Sequence, residues 1–201
     1  PTCTIPREVG TMDNIVTLRV SALESNYTLG HFGDGSNSDI IFREVKNLKL
    51  HQIAFWPETL ESVETALGKS IGIPLIPEPN KSIIKKNIAI MRIEPLKIWT
   101  LGSNAPLFKA NEATTLDLSH SRSRLQISGP KATKLLNSFL PIDLRERSFP
   151  PGTLASTVFH HVGVTLWHTK VGYELFLPRG FALSLWELLL DGAAQFGYDV
   201  T

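Results

Sequence analysis

The chain has 201 residues, a formal net charge of +1 at pH 7 and a hydrophobic fraction of 42%. A chain of this length can bury roughly 70% of the surface that its extended form exposes, so it can fold around its own core. The near-zero charge gives no electrostatic reason to expect nucleic acid or an anionic membrane as a partner. The single cysteine, Cys3, excludes an internal disulfide. With no signal-peptide pattern and no apolar run long enough to span a bilayer, the sequence predicts a cytoplasmic protein.

Residues 1–38 show no sustained hydrophobic periodicity and lead into GHFGDGSNSD, which is rich in glycine, serine, asparagine and aspartate. We expect an N-terminal arm and a flexible loop here, with a short strand in IVTLRVSAL (15–23). The glycines do not indicate a phosphate-binding loop, because no G-x-x-x-x-G-K pattern and no helix follow them.

Residues 39–112 form the first of two halves with a similar order of predicted elements. The stretch IIFREVKNLKLHQIAFW (40–56) is rich in strand-forming residues. Pro57 then opens the predicted helix PETLESVETALGK, since proline suits the first helical turn. After a proline-rich loop, NIAIMRIEPLKIWTLG (87–102) predicts two strands around a turn at Glu94–Pro95.

Residues 113–201 repeat this order. RLQIS alternates apolar and polar residues as a half-buried strand does, and Gly129–Pro130 starts the predicted helix PKATKLLNSFL. Three strands of an antiparallel meander and a final helix follow, in TLASTVFHH, VGVTLWH, YELFLP and GFALSLWELLLDGAAQF. Gly197 is a suitable stop for that helix. The repetition predicts an α+β protein of two related split-βαβ (ferredoxin-like) halves, with mainly antiparallel sheets, in one compact domain.

The stretch TTLDLSHSRSRLQISGP (114–130) concentrates the residues that could carry chemistry. Neighbouring side chains of a strand point to opposite faces, so Ser119 and His120 could not form a nucleophile–base pair there. Leu116 and Leu118 alternate with polar residues, which is typical of an element with one buried face. No G-x-S-x-G elbow is present to expose a serine. The pattern therefore favours structure or an interface over catalysis.

Metal, nucleic-acid and dinucleotide sites have little support in the sequence. His160 and His161 are adjacent and would diverge on a strand, and His168 continues an apolar face. The basic stretches KSIIKK and SRSR are short and lack interleaved aromatic residues, so they indicate solvated faces. No G-x-G-x-x-G is present. We therefore predict no catalytic, cofactor or metal site in this chain.

The order of several motifs carries a family resemblance. The run LDLSHSRSRLQISGPKATKLLNSFLPIDL (116–144) resembles the aminomethyltransferase-type folate-binding fold. The stretches IWTLG (98–102), RSFPPG (147–152), VTLWH (164–168) and YELFLPRGFALSLWELLLDGAAQFG (173–197) resemble, more narrowly, the gamma subunits of heterotetrameric sarcosine oxidases. The resemblance is dense from about 113 to 197, looser over 41–112 and absent from the first forty residues.

This resemblance implies a subunit that assembles with alpha, beta and delta chains into a complex that oxidatively demethylates sarcosine to glycine. The one-carbon unit would pass to tetrahydrofolate or leave as formaldehyde. The larger subunits would bind FAD, FMN, NAD and folate, and the smallest one zinc. The gamma chain would be non-catalytic and would pack on the alpha subunit. Two alternatives stay open: the gamma subunit of an N-methylglutamate dehydrogenase complex, and a stand-alone folate-binding protein of the aminomethyltransferase type.

One departure from the family pattern bears on catalysis. Active aminomethyltransferases carry an acidic pair after a glycine-rich turn, and the stretch matched to it here is FHHVGVTLWH. No aspartate or glutamate lies from Ala155 to Tyr173. Without a carboxylate, positive charge on a folate amine would lack its electrostatic partner.

The surface that meets other subunits is predicted from large and charged side chains. Aromatic residues are enriched in interface hot spots, so Trp56, Trp99 and Trp167 are candidates. Arg122 and Arg124 are further candidates because they face away from the apolar side of their strand. Trp186 lies among leucines of the last helix and is predicted to be core.

Overall fold

The computed structural model describes residues 20–33 and 38–201. The strands in these ranges are β1 (Gly30–Phe32), β2 (Ile40–Glu44), β3 (Leu50–Phe55), β4 (Ser82–Lys85), β5 (Ile88–Glu94), β6 (Lys97–Leu101), β7 (Ala113–Asp117), β8 (Arg122–Ser128), β9 (Leu154–Phe159), β10 (Val162–Thr169), β11 (Gly172–Pro178) and β12 (Tyr198–Val200). The α-helices are α1 (Leu60–Ile71), α2 (Ala132–Asn137) and α3 (Ala182–Ala193). Short 3-10 turns precede α1 at Pro57–Thr59, precede α3 at Arg179–Phe181 and follow α3 at Ala194–Phe196.

These strands form two sheets. The large sheet has the order β1-β12-β2-β8-β11-β10-β9, and the small sheet has the order β4-β5-β6-β3-β7. Every neighbouring pair is antiparallel except β12 and β2. The expected mixed α+β class with mainly antiparallel sheets is therefore confirmed.

The two sheets contain the same arrangement of strands. In the small sheet β3 is followed by α1 and by the meander β4-β5-β6, whose last strand returns to pair with β3. In the large sheet β8 is followed by α2 and by the meander β9-β10-β11, whose last strand pairs with β8. In each sheet the helix thus connects two strands that have two other strands between them. The two connected strands run antiparallel.

The strand that leads each repeat is exchanged between the sheets. β2 precedes β3 in the chain but pairs with β8 in the large sheet, and β7 precedes β8 but pairs with β3 in the small sheet. The repeats therefore begin near residues 40 and 113, while each sheet contains one strand from the other repeat. The division into domains at 39–112 and 113–201 stays a prediction. The exchanged strands β2 and β7 connect these two parts of the chain.

A second link joins the meanders of the two sheets where β4 and β9 begin. Lys81 and Thr153 form an antiparallel bridge. Ser82 N donates to Gly152 O at 3.0 Å, and Leu154 N donates to Asn80 O at 2.8 Å. Exchanging the two repeats would turn one of these hydrogen bonds into the other. The repetition in the sequence therefore corresponds to a local pseudo-twofold symmetry in the structure.

The core clusters define four layers. α2 and α3 pack on one face of the large sheet, where Leu185, Trp186 and Leu189 of α3 are buried with Phe42 and Leu125. A second cluster fills the space between the sheets, and its members from the two sides include Met91, Trp99, Trp167 and Phe176. A third cluster lies under α1 and contains Val63, Leu67, Ile53 and Ile98. The order of layers is α2/α3, large sheet, small sheet, α1.

Helix ends follow local chemistry. The 3-10 turn at Pro57 opens α1, and Gly72 closes it with φ 72°, its N–H donating to Gly68 O at 3.1 Å. α3 and its following 3-10 turn stop at Gly197, φ 70°, as predicted. α2 is shorter than predicted, since it ends at Asn137 and the chain continues to 140 in turns.

Several short strands differ from the sequence-based expectations. β1 lies in the stretch predicted as a loop, and β4 lies in the basic stretch predicted as a solvated face. Both are edge or near-edge strands whose pairing partners, β12 and β5, could not be read from local sequence. Of the strand predicted over 15–23, only residues 20–23 are described, and they lie outside any strand. The predicted arm at 1–19 lies outside the described residues.

No helix within residues 20–33 and 38–201 combines the length and the apolar character needed to cross a membrane.

Replacing Gly129 by alanine is expected to lower the free energy of unfolding by at least about 2 kcal/mol. Gly129 has φ +103°, and a Cβ there would lie 2.4 Å from the backbone oxygen of Asp39. The matched control is Gly163→Ala in β10, where a Cβ would meet nothing within 4 Å. Urea unfolding monitored by tryptophan fluorescence should separate the two variants, and equal midpoints would contradict the close approach at Gly129.

Candidate functional site

The D-L-S-H cluster forms a turn between β7 and β8. Asp117 ends β7, and its Oδ1 accepts a hydrogen bond from Ser119 N at 2.8 Å. The Ser119 hydroxyl accepts from Leu50 N at 3.0 Å and donates to Leu50 O at 3.3 Å. Ser119 and His120 therefore lie in a turn and not in the predicted strand, and the hydroxyl is committed to the β3 backbone. Hydrogen bonds from Ser119 hold the pKa of Asp117 below its ordinary value.

The predicted burial of this stretch is only partly correct. Leu118 is buried between the sheets, but Leu116 is 54% exposed. Leu116 lies on β7, the terminal strand of the small sheet, and its side chain is left uncovered at this edge. The cluster thus anchors a crossing between the two sheets.

Arg124 makes the principal buried ion pair near this turn. Its Nε donates to Oε2 of Glu174 at 2.8 Å, and the two side chains are only 19% and 5% exposed. The guanidinium carbon also lies 5.9 Å from the ring centre of Phe176. The buried carboxylate is compensated in charge by the partly buried guanidinium, and the pair links β8 to β11.

A cleft with a volume of about 140 Å³ opens beside this ion pair. The charged residues that line it are Glu24, Glu44, Lys46, Arg122, Arg124 and Arg179. Four of these side chains are cationic and two are acidic, so the lining carries an excess of positive charge. The cleft brings the two predicted arginines together with residues that lie far from them in the chain.

Arg122 and Arg179 of the cleft each make one side-chain hydrogen bond to the described part of the chain. Arg122 Nη1 donates to Ser121 O at 3.2 Å, and Arg179 Nη2 donates to Val20 O at 2.6 Å. Burial lowers the pKa of Arg122 from its ordinary value, but a guanidinium stays protonated at neutral pH. These groups can bind a carboxylate or another small anion through charge-assisted hydrogen bonds.

Glu44 is an acidic residue of the cleft lining. Its Oε1 accepts a hydrogen bond from Ser21 Oγ at 2.5 Å, and its backbone N–H donates to the Tyr27 hydroxyl at 2.7 Å. Oε2 is buried and has no hydrogen-bond partner in the described part of the chain. The carboxylate offsets part of the positive charge of the lining.

The three histidines considered as metal ligands, His160, His161 and His168, have structural roles. His168 Nδ1 is hydrogen-bonded to Phe149 O at 2.5 Å, and its ring stacks on Tyr173 with centroids 4.5 Å apart. His160 and His161 form the tight turn between β9 and β10, with φ 53° at His160. The prediction that they lie on a strand is therefore wrong. Within residues 20–33 and 38–201 no three potential metal ligands are grouped together. Cys3 lies outside the described residues.

The four tryptophans occupy different environments. Trp56 is 62% exposed. Trp99 and Trp167 are buried between the sheets, where their Nε1 atoms donate to Gln52 Oε1 at 3.2 Å and Ser82 Oγ at 2.9 Å. This placement corrects the expectation that these two side chains anchor an interface, because neither reaches the surface. Trp186 is fully buried, as predicted for core.

Sequence reasoning missed five charged residues of the site, namely Glu24, Glu44, Lys46, Glu174 and Arg179. Glu44 and Arg179 are separated from Arg122 by long stretches of chain, so no local pattern could group them. Glu174 did carry a signal: it is the one charged residue inside the otherwise apolar run YELFLP. A charged residue in a buried strand is rarely left unpaired, which would have predicted a buried cation opposite.

The chain resembles known proteins in both sequence and structure. No family model matches the sequence. The chain is 35% identical over 85 residues to a sarcosine oxidase subunit gamma of Corynebacterium sp. strain P-1, which is 42% of each chain. It is 35% identical over 82 residues to the subunit of that name from Corynebacterium sp. strain U-96 and 38% identical over 82 residues to that of Arthrobacter sp.. The matched segment thus spans about two fifths of these relatives, and it confirms the resemblance inferred from sequence.

Two solved structures share the fold. A chain of heterotetrameric sarcosine oxidase from Corynebacterium sp. U-96, solved in complex with pyrrole 2-carboxylate, superposes with a TM-score of 0.69 at 21% identity, covering 82% of this chain and 88% of that chain. The glycine cleavage system aminomethyltransferase T from Bartonella henselae superposes with a TM-score of 0.56 at 16% identity, covering 83% of this chain and 48% of that one. The fold is therefore aminomethyltransferase-like, as expected from the motifs.

Proposed function

We propose that this chain is the gamma subunit of a heterotetrameric sarcosine oxidase and that it acts there as a structural subunit. The observation that carries the proposal is the 35–38% identity to subunits of that name over 82–85 residues. The fold shared with a chain of such an oxidase over 82% of this chain supports it.

In this proposal the chain assembles with alpha, beta and delta subunits, and the complete complex demethylates sarcosine to glycine. Flavins, NAD, zinc and tetrahydrofolate are bound by the other subunits. This chain contributes the rigid two-sheet scaffold, which holds itself together through the exchanged strands β2 and β7. The cationic cleft and the exposed Trp56 are the parts of its surface best suited to contact neighbours.

Three observations support a non-catalytic role. The Ser119 hydroxyl is committed to the Leu50 backbone. The β9–β10 hairpin, matched to the acidic strand of active aminomethyltransferases, contains no carboxylate from Ala155 to Tyr173. The first acid after it, Glu174, is neutralised by Arg124. No free carboxylate therefore stands where one would stabilise a positively charged amine.

The cleft is small for a folate. Ligands of drug size occupy pockets of about 300–1,000 Å³. The cleft holds about 140 Å³ and is lined by ionic side chains instead of the aromatic and apolar walls that such ligands prefer. This cleft does not fit a folate, and no folate step is assigned to it.

A stand-alone folate-binding protein is the second candidate, and the fold shared with an aminomethyltransferase favours it. Isothermal titration calorimetry of the isolated chain with tetrahydrofolate separates the two. We expect no saturable heat at millimolar ligand. Saturable binding at micromolar tetrahydrofolate would favour the second candidate and remove the first.

The test of the main proposal is reconstitution. The chain would be co-expressed with candidate alpha, beta and delta subunits. Oxidation of sarcosine and, in parallel, of N-methylglutamate would be followed both by oxygen consumption and by reduction of an artificial electron-acceptor dye. We expect a four-chain complex that oxidises sarcosine, and no turnover by this chain alone. Preference for N-methylglutamate would assign the complex to the related dehydrogenases, and turnover by the lone chain would end the structural role.

A further inference from the structure

The outer side of β7 is an open sheet edge. β7 is the terminal strand of the small sheet and pairs only with β3 among the strands of residues 20–33 and 38–201. Residues 114–117 are exposed on this strand. An edge of this kind presents unpaired backbone N–H and C=O groups to any extended chain that approaches it.

The register identifies which backbone groups point outward. Leu118 N donates to Leu50 O at 2.8 Å, continuing the β3–β7 ladder past Asp117. In an antiparallel pair, hydrogen-bonded and non-hydrogen-bonded positions alternate. Leu116 and Thr114 therefore bond to β3, whereas Thr115 and Asp117 turn their N–H and C=O groups to the open side.

Several of the usual protections of an edge are missing here, although Asp117 places one charge on the strand. Residues 113–117 contain no lysine, no proline and no bulge. Three exposed apolar side chains lie on or near this edge: Leu116 is 54% exposed, Trp56, which follows the last residue of β3, is 62% exposed, and Leu107 is 98% exposed. Leu107 lines a surface depression together with Ala113 and Thr115. Solvent-exposed apolar side chains along an unprotected edge indicate a docking site.

The charges at the two ends of β7 indicate what kind of segment can dock there. The segment 113–116 is uncharged, with Glu112 before it and Asp117 after it. Both carboxylates accept hydrogen bonds from nearby backbone, from Lys109 N at 3.1 Å and Ser119 N at 2.8 Å. They are therefore fixed in place, and a docked segment would be favoured by a basic residue at one or both of its ends.

We propose that β7 accepts an extended segment of another subunit as a sixth strand of the small sheet, with an uncharged, partly apolar middle and basic ends. This inference rests on the proposed function for the existence of the other subunits. The backbone groups of Thr115 and Asp117 supply the hydrogen bonds, and Leu116 and Trp56 supply apolar contact. Trp56 acts here as the interface residue that sequence analysis predicted.

The test uses the reconstituted complex and hydrogen–deuterium exchange. In the isolated chain the amides of Thr115 and Asp117 should exchange fast, and assembly should slow the peptide over 113–117 about tenfold or more. The variant Thr115→Pro removes an outward donor while sparing the bonds to β3, and it should weaken assembly about tenfold. Because this variant could also disturb folding, Leu116→Asp is the second variant, with the same expected weakening.

The matched control is Ser156→Pro on β9, the edge strand of the large sheet. Leu154 N points away from β10, to Asn80 O, so Ser156 two residues on also faces outward. This control should assemble as the unmodified chain does. Two results together support the inference: the peptide over 113–117 becomes protected on assembly, and the two β7 variants lose assembly while the control does not.

Other outcomes overturn it separately from the proposed function. A complex that forms while 113–117 stays unprotected, or that tolerates both β7 variants, removes the docking edge and leaves the function standing. Protection that grows with the concentration of the chain alone assigns the edge to a second copy and overturns the heteromeric occupant. If no complex forms at all, the proposed function fails first and takes this inference with it.

Discussion

Arg124→Met is expected to lower the free energy of unfolding by about 3–5 kcal/mol, because it leaves the charge of Glu174 buried without a partner. The Glu174 side chain is only 5% exposed, and among the described residues its ion-pair partner is Arg124, at 2.8 Å. Urea unfolding at pH 7 measures the loss.

Two further variants isolate this effect. Arg145→Met breaks the exposed pair of Arg145 and Asp143, whose side chains are 62% and 39% exposed, and should destabilise the fold far less than Arg124→Met does. The double variant Arg124→Met with Glu174→Leu should recover most of the loss, since two apolar side chains can replace a buried ion pair. A single Arg124→Met variant no less stable than Arg145→Met would contradict the buried pair.

Trp167→Ala is expected to cost about 3–5 kcal/mol in the isolated chain, as for other large-to-small changes in a core. The indole is 4% exposed between the two sheets, and its Nε1 donates to Ser82 Oγ at 2.9 Å across them. The change therefore opens a cavity and removes a link between the sheets. Differential scanning calorimetry of the isolated chain measures the effect without any partner present.

Trp56→Ala is the matched control, with the same change in side-chain volume at a position that is 62% exposed. It should alter the stability of the isolated chain by no more than about 0.5 kcal/mol. If Trp167→Ala were equally mild, the tryptophan would have to be assigned to a surface after all, as the sequence had suggested. Trp99→Ala should behave like Trp167→Ala, since Trp99 packs edge-on against Phe176 at 5.5 Å in the same layer.

The internal repetition could be predicted from the sequence because it depends on local signals. Proline at the first helical turn, alternation in RLQIS and three strand-like runs before a leucine-rich helix are each visible within about ten residues. The exchange of β2 and β7 between the sheets could not be predicted in the same way. It depends on pairing between strands more than 60 residues apart, and both strands look alike in hydrophobic pattern to strands that stay with their own repeat.

The interface candidates show the same difference between what local sequence can predict and what it cannot. Local sequence identified Arg122 and Arg124 correctly as lying opposite the apolar face of β8, because that face follows from a period of two residues. It could not separate the exposed Trp56 from the buried Trp99 and Trp167, since all three lie in or beside strands. Whether a tryptophan is covered depends on its place in the fold: Trp99 and Trp167 lie between the sheets, whereas Trp56 follows the end of β3.

The most direct test of the central claim is native mass spectrometry of the assembly isolated through this chain from the cells that produce it, together with its flavin absorbance. The account predicts a heteromer that contains this chain beside flavin-bearing subunits and that carries flavin only while those subunits are present. A single free chain that binds and converts one-carbon adducts without partners would contradict it.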